Sequence, residues 1–154
     1  MRRGAQSGLT LVELIVAFTI MLILTTMAVP LARSKVRAQR ERELRADLDE
    51  IRHAIDKYKD FNDAGYLGAI KADTFGYPES LDILVEGVKL NGPDGKKVRF
   101  LRRIPVDPFT GKAEWGLRSA QDDFDATTWG GQDVFDVYTK TSEKDAFGTP
   151  YSQW

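Results

Sequence analysis

Glu13 is the only ionisable residue in a long apolar stretch, residues 9–31. As a helix rising about 1.5 Å per residue, this stretch would measure roughly 35 Å, enough to cross the hydrocarbon core of a bilayer with some tilt. An acidic side chain in such a segment is costly unless a cation lies beside it. Glu13 is therefore predicted to be a functional group with a positively charged partner.

Residues that commonly catalyse reactions are scarce elsewhere in the chain. There is no cysteine, which excludes a thiol nucleophile and a disulfide framework. The single histidine, His53, lies between Ile51 and Ile55 and projects away from their helical face, so an exposed polar position is favoured over a catalytic role. Neither a Gly-x-Ser-x-Gly elbow nor a phosphate-binding loop is present. The sequence predicts a protein that is not an enzyme.

The bulk charge gives no indication of a nucleic-acid partner. The chain has 22 basic and 23 acidic residues, a formal net charge of −1. A nucleic-acid-binding domain would carry a clear basic excess. We therefore expect no nucleic-acid binding.

The order of residues before and around Glu13 resembles a motif of a known family. Arg2 and Arg3 are followed by Gly8 and then by Leu-Thr-Leu-Val-Glu-Leu, with Glu13 fifth after the glycine. This order resembles the class III signal of type IV pilins and type II secretion pseudopilins, although their first mature residue is usually Phe. The resemblance implies that a prepilin peptidase cuts between Gly8 and Leu9 and that Leu9 is N-methylated. It also implies that Glu13 pairs with the terminal amine of a neighbouring subunit in a filament.

Two ordinary explanations of the apolar stretch account for fewer features. A secretory signal has a shorter apolar region, with its small-residue cleavage site after it. A single-pass anchor explains the length but neither Gly8 nor Glu13.

Pro30 lies near the end of the stretch, where it removes one backbone donor and should kink the helix or locally melt it. We assign Glu13 and Pro30 to assembly.

A charged helix is predicted to continue directly from the apolar one. Apolar residues recur in steps of three or four on one helical face, which is typical of an amphipathic helix that packs on a globular domain. They are Leu44, Leu48, Ile51, Ile55, Tyr58 and Phe61. No Gly or Pro interrupts residues 31–60, and residues 62–65 should end the helix.

The orientation in the membrane is a point of conflict. Arg33, Lys35, Arg37 and Arg40 outnumber Arg2 and Arg3, so the positive-inside rule alone would place the carboxy-terminal domain in the cytoplasm. The family resemblance implies the opposite, an inner-membrane protein with its head in the periplasm, and we favour that orientation. The basic residues either meet lipid phosphates or acidic faces of neighbouring subunits, or form a solvated helix face.

Composition changes after residue 60. Of the 13 Gly, 11 lie in residues 61–154, together with five of the six Pro and all three Trp, which predicts a turn-rich head. A short helix is expected over residues 77–87, with Pro78 in its first turn, and strands over 98–101, 113–119 and 134–139. Aromatic core candidates are Phe100, Phe109, Trp115, Phe135 and Tyr138. The predicted fold is α+β, with a long N-terminal helix packed on a small antiparallel sheet.

The predicted organisation has four parts. These are a leader removed by peptidase (1–8), a transmembrane and filament-core helix (9–32), an amphipathic continuation (33–60) and a periplasmic head (61–154).

The second half of the chain resembles the same family independently. The segments 77–81, 101–111, 115–116, 135–139 and 148–154 look like the major pseudopilins of type II secretion. Adhesive pilins commonly close a carboxy-terminal loop with a disulfide, which this chain cannot form. Together with the signal, the resemblance implies a pilin-like fold and favours a pseudopilin over a surface pilin.

Calcium is a further expectation drawn from the resemblance. Major pseudopilins commonly bind one calcium ion in the loops after the last strands, and hard oxygen ligands suit that ion. The corresponding segment here, residues 140–148, offers Asp145, with Ser142 and Glu143 as weaker ligands, and a plain loop is the alternative.

A second acidic cluster surrounds Trp129 and could hold an ion or face a neighbouring subunit, although a solvated, mobile loop is the simpler interpretation. Its members are Asp122, Asp123, Asp125 and Asp133.

The sequence thus predicts a structural subunit that polymerises into a short periplasmic filament driving type II protein secretion. Its expected partners are copies of itself, the prepilin peptidase, minor pseudopilins, the inner-membrane assembly platform and membrane lipid. The first alternative is a type IV pilin for adhesion, motility or DNA uptake. A monomeric, membrane-tethered binding module is a second alternative, which would need neither the peptidase nor neighbouring helices.

Overall fold

The computed structural model describes residues 10–68, 72–92 and 95–154, without the side chains of residues 27–31. In this part of the chain the elements are α1 (Leu11–Asp63), α2 (Leu81–Glu86), β1 (Val88–Lys89), β2 (Lys97–Val98), β3 (Gly116–Arg118) and β4 (Asp136–Tyr138). Short 3-10 turns occur at Ala72–Thr74 and Tyr151–Gln153. The chain divides into two compact units, Met1–Gln39 and Arg40–Trp154.

Helix α1 is continuous through Pro30. The expected local melting at this proline is therefore wrong, while a kink stays a prediction. Proline removes a single N–H donor, so hydrogen bonds on both sides can carry the helix through it. The helix also ends three residues later than the predicted Asp60.

The predicted apolar face of α1 forms the core of the head. Leu44, Leu48, Ile51, Ile55 and Tyr58 are all buried, as is Ala54 on the same face, and Phe61 packs against them partly buried. From the other elements the core receives Leu67, Leu81, Leu84, Leu101, Trp115, Val134, Val137 and Tyr151. The periodicity prediction is confirmed.

The end of α1 is fixed by a glycine in the left-handed region. Gly65 has φ +73°, and its N–H donates to the Asn62 carbonyl (2.8 Å), while the Tyr66 N–H donates to the Phe61 carbonyl (3.0 Å). This pair of bonds is a Schellman motif, and the expected apolar contact accompanies it, with the Phe61 and Tyr66 ring centroids 5.7 Å apart. The predicted stop at residues 62–65 is confirmed.

The described part of the head contains two separate two-stranded antiparallel sheets. Val88 lies opposite Val98 in the first, and Leu117 lies opposite Val137 in the second. The predicted α+β class is confirmed, and a long N-terminal helix with small antiparallel sheets is consistent with a pilin-like fold. The expectation of one three-stranded sheet is wrong.

Competing acceptors explain why the predicted strands are shorter. The N–H groups of Phe100 and Leu101 both donate to the Leu84 carbonyl at 3.0 Å. The end of the predicted strand 98–101 is therefore hydrogen-bonded to α2 instead of to another strand. The Val134 N–H likewise donates to the Pro78 carbonyl at 2.7 Å. An amide already bonded elsewhere cannot extend a ladder.

Helix α2 begins later than predicted. Ser80 precedes its first residue, so Pro78 lies before the helix rather than in its first turn. Leu81 and Leu84 are buried. Gly87 ends the helix as predicted, with φ +82°, where an added Cβ would lie 2.5 Å from the Val98 carbonyl oxygen.

A buried aspartate organises the second half of segment 101–111, one of those that carry the family resemblance. Asp107 Oδ1 accepts the N–H groups of Phe109 and Thr110, and its Oδ2 accepts the Thr139 hydroxyl at 2.5 Å. Gly111, with φ +70°, donates its N–H to the Asp107 carbonyl. Asp107 therefore closes a turn and ties it to the end of β4.

The last residues of the chain pack back on α1. Arg52 binds Asp136 Oδ1 at 2.7 Å and the Trp154 carbonyl at 2.8 Å, and the Arg45 guanidinium lies 4.1 Å from the Trp154 ring centroid. Tyr151 is fully buried, and its hydroxyl donates to Glu41 Oε1 at 2.6 Å. Of the predicted aromatic core, Trp115 and Tyr138 are buried and Phe100 and Phe109 partly so. Phe135 is 47% exposed, so its assignment to the core is wrong.

Candidate functional site

The first half of α1 presents large apolar side chains on all sides. Each is between 45% and 74% exposed in the chain, and together they are Leu11, Val12, Leu14, Ile15, Val16, Phe18, Ile20, Met21, Leu22, Ile23 and Leu24. A helix that is apolar all round is normally buried, and exposed apolar surface of this extent marks a contact with protein or lipid. This segment is the candidate functional surface.

Glu13 lies at the amino-terminal end of that surface. The Thr10 N–H donates to Glu13 Oε2 at 3.3 Å, and the Glu13 N–H donates to the Thr10 hydroxyl at 3.3 Å. This is a capping box, which satisfies two donors at the start of the helix. The Thr-x-x-Glu spacing could have predicted it from the sequence. Gly8 and Leu9 lie outside the described residues, so their predicted cleavage and methylation have no structural outcome.

The hydroxyl groups within the apolar surface are satisfied inside the helix. Thr19, Thr25 and Thr26 each donate to the carbonyl four residues earlier, at 2.7, 2.7 and 2.8 Å. A hydroxyl bonded in this way adds little polarity to the outer face of the helix. The segment from residue 11 to 26 therefore offers a nearly uniform apolar exterior.

Within the described residues, no helix is both long enough and apolar enough to span a bilayer.

The predicted calcium loop is closed by its own hydrogen bonds. Asp145 Oδ1 accepts the N–H groups of Phe147 and Thr149, both at 2.8 Å, and the Asp145 N–H donates to the Thr149 carbonyl. Ser142 and Glu143 are exposed. No group of three or more His, Cys, Asp or Glu side chains placed to share a metal ion occurs in residues 10–68, 72–92 and 95–154. Calcium binding by Ser142, Glu143 and Asp145 stays a prediction.

The second acidic cluster is divided between two environments. Asp123 and Asp125 are exposed, whereas Asp133 is fully buried and Asp122 is partly buried. Asp122 Oδ2 accepts the N–H groups of Ser119 (2.7 Å) and Gly130 (3.1 Å). The interpretation as a solvated loop is therefore wrong for Asp122 and Asp133, which organise the loop between β3 and β4.

An acidic face of α1 lies beside residues 103–106. Glu43, Asp47 and Glu50 line a groove there together with Arg103. Burial and the negative charges of Glu43, Glu50 and Asp107 together raise the pKa of Asp47 to about 6, partly opposed by Arg103. Asp47 thus resists ionisation in the folded chain. Sequence reasoning missed this group, because the helical pattern shows the acids but not the segment packed over them.

His53 is exposed as predicted, and its Nδ1 lies 2.7 Å from the Asp49 carbonyl oxygen. The ring thus makes a local contact within the helix.

The long helix α1 and the small antiparallel sheets are consistent with a pilin-like fold, and comparison with known proteins gives two matches. The prokaryotic N-terminal methylation motif matches residues 3–29. Type II secretion system core protein G of Pseudomonas aeruginosa is 29% identical over 136 residues, which cover 84% of this chain and 87% of that protein. No solved structure gives a significant match. The first match confirms the predicted class III signal, and the second confirms the predicted resemblance to type II secretion pseudopilins.

Proposed function

We propose that the protein is a pseudopilin, a structural subunit that polymerises into a periplasmic pseudopilus and thereby drives type II secretion. The observation that carries this proposal is the similarity to type II secretion system core protein G over most of both chains, beginning with a prepilin-type motif. A type IV pilin for adhesion, motility or DNA uptake is not favoured by this similarity. We also propose that the protein has no enzymatic activity.

The exposed apolar surface of α1 supports filament assembly. Among the residues that the structure describes, none covers the large apolar side chains from Leu11 to Leu24. Lateral packing of these helices between copies would bury them, at roughly 25 cal/mol for each Å² of apolar surface removed from water. The internally bonded threonines would allow such packing without leaving unsatisfied hydroxyls.

Glu13 is proposed to pair with a terminal amine created by processing. Hydrolysis of the Gly8–Leu9 peptide bond consumes one water and leaves an ammonium group on Leu9. The Glu13 carboxylate is already bonded to the N–H of Thr10, the residue after Leu9, so the acid lies at the end of the helix where this charge would appear. A pair with the amine of an adjacent subunit would fix the axial register of neighbouring helices.

The membrane placement is part of the proposal. Residues 9–31 would anchor the subunit in the inner membrane, with the leader on the cytoplasmic side and the head in the periplasm. Arg33, Lys35 and Arg40 are exposed just beyond the apolar stretch, where they can meet lipid phosphates. The proposed partners are the prepilin peptidase, minor pseudopilins, the assembly platform and other copies of the chain.

The test uses the full chain in its native cells. Deleting the protein should leave exported proteins trapped in the periplasm, and mass spectrometry should find a methylated Leu9 at the mature terminus. Glu13→Ala should be cleaved normally but give at least a tenfold lower filament yield. Glu114→Ala, which removes an exposed acid in the head, is the matched control and should assemble normally. Secretion that persists without the protein, or a mature chain that keeps Met1, would refute the proposal.

A further inference from the structure

Two buried oxygen atoms in the loop between β3 and β4 have no hydrogen-bond partner among the described residues. They are Ser119 Oγ and Asp133 Oδ2, on side chains that are 1% and 0% exposed. Nearly all buried polar atoms are bonded, so an orphan pair indicates a missing water or ion. Both side chains interact with Asp122 of the same loop, which suggests a common ligand.

Hydrogen bonds place the two aspartates of this loop against the same stretch of backbone. Asp122 Oδ2 accepts the Ser119 N–H at 2.7 Å, and Asp133 Oδ1 accepts the next amide, that of Ala120, at 3.0 Å. The indole N–H of Trp129 donates to the Asp133 carbonyl at 2.7 Å and holds the far side of the loop. Each carboxylate thus uses one oxygen for the loop backbone and directs a second oxygen elsewhere.

Oxygen atoms converge beside Gly130. The position that a Cβ would occupy there is 2.4 Å from Gln132 Oε1, 2.7 Å from Asp122 Oδ1 and 3.1 Å from Ser119 Oγ. A side chain at residue 130 would displace these oxygens, so only glycine lets the three lie together. Amide and carboxylate oxygens are acceptors, so their convergence fits a cation better than an anion or an apolar group.

The electrostatics of the loop favour the same ligand. Two backbone N–H groups, of Ser119 and Gly130, lower the pKa of Asp122, so this carboxylate is charged at neutral pH. The Ser119 hydroxyl lies near it and lowers the pKa further, although the two groups do not meet hydrogen-bond geometry. Burial raises the pKa of Asp133, and the Asp122 charge adds to this, partly opposed by the Ala120 N–H. A bound cation would relieve the repulsion between the two carboxylates.

We propose that the loop from Ser119 to Asp133 binds a hard divalent cation of the calcium type, through oxygens of Ser119, Asp122, Gln132 and Asp133. The absence of His and Cys from the set excludes a preference for soft transition metals. Calcium tolerates an irregular set of neutral and charged oxygens, whereas magnesium demands a near-ideal octahedron. With only two carboxylates, the expected Kd is weak, about 10⁻⁴ to 10⁻³ M. The site differs from residues 140–148 and does not rest on the proposed function.

The test measures calcium binding to the full chain in detergent micelles after treatment with EGTA. Calcium at about ten times the Kd should raise the melting temperature by about 3–5 °C, because only the folded loop binds it. Tryptophan fluorescence is a suitable signal, since Trp129 is part of the loop. Sodium chloride at matched ionic strength should give a shift of less than about 1 °C.

Variants locate the site. Asp133→Asn should abolish the calcium-induced shift, and Gln132→Ala, at an exposed position that the fold does not need, should reduce affinity at least threefold. Asp123→Asn, an exposed acid of the same loop, is the matched control and should keep the full shift. If Asp133→Asn fails to fold, Gln132→Ala decides. No shift in the unaltered chain would mean that a water fills the space. A shift that Asp145→Asn alone removes would place calcium in residues 140–148, and either result overturns the proposal.

Discussion

Replacing Asp47 by Asn should change how the stability of the head depends on pH. The pKa of Asp47 is raised to about 6 from 3.8, so the folded chain holds this proton more tightly than the unfolded chain does. A carboxyl group of this kind favours folding at low pH, and the benefit is lost as pH rises from about 4 through 6. Asparagine resembles the protonated group and should remove this dependence.

The size of the effect follows from the two pKa values. Their difference corresponds to about 3 kcal/mol at most, at 1.36 kcal/mol for each tenfold change in proton affinity. Asp47 is partly exposed, so solvent screening should reduce this to about 1–2 kcal/mol. Asp47→Asn should therefore be more stable than the unaltered chain by about 1–2 kcal/mol at pH 8 and nearly equal to it at pH 4.

The assay is urea unfolding of the full chain in detergent, followed by tryptophan fluorescence at several values between pH 4 and pH 8. All three tryptophans lie in the head, so the signal reports its unfolding. Asp56→Asn, at an exposed position on the same helix, is the matched control and should change stability by less than about 0.5 kcal/mol at every pH. A difference for Asp47→Asn that is independent of pH, or a variant less stable at pH 8, would refute the reasoning.

Three further outcomes are expected from urea unfolding of the same preparation. Leu48→Ala, at a position 1% exposed, should lower the free energy of unfolding by about 2–4 kcal/mol. Its control, Val36→Ala at a position 53% exposed, should lower it by less than about 0.5 kcal/mol. Equal losses would contradict the assignment of the core. Gly116→Ala should cost at least about 2 kcal/mol, because the added Cβ would lie 2.2 Å from Tyr138 Cζ, and a neutral effect would show that the ring moves freely. Asp107→Ala should cost about 3 kcal/mol, since it leaves two backbone donors and a buried hydroxyl without acceptors; hydrogen exchange should show residues 107–111 losing protection first.

The apolar repeat of α1, and the glycines that end α1 and α2, made these helices predictable. The apolar residues from Leu44 to Tyr58 are spaced so that they share one face of an α-helix, and all of them are buried. Gly65 and Gly87 mark the helix ends because their positive φ angles suit glycine. Such signals are local, so the sequence alone contains them.

The strands and the buried acids could not be predicted in the same way. Whether the amides of residues 100 and 134 enter a ladder depends on carbonyl groups of α2 and of Pro78, which are distant in sequence. Asp133 and Asp123 look alike in the sequence, yet one is fully buried and the other exposed, because only one is opposite the Ala120 amide. At the candidate site, the apolar surroundings of Glu13 predicted that it is functional. Its hydrogen bond with Thr10 follows from the Thr-x-x-Glu spacing, which is also a local signal.

The segment after β4 is fastened at both of its ends. Thr139 is held by Asp107, and Trp154 is held by Arg52 and Arg45 on α1. A stretch anchored in this way behaves as a closed loop, and lengthening a closed loop costs only about 0.6 kcal/mol for each doubling. The tip around Phe147, which is 95% exposed, should therefore accept inserted residues or a peptide tag without loss of the fold. This tip is a practical position for labelling the subunit inside the proposed filament.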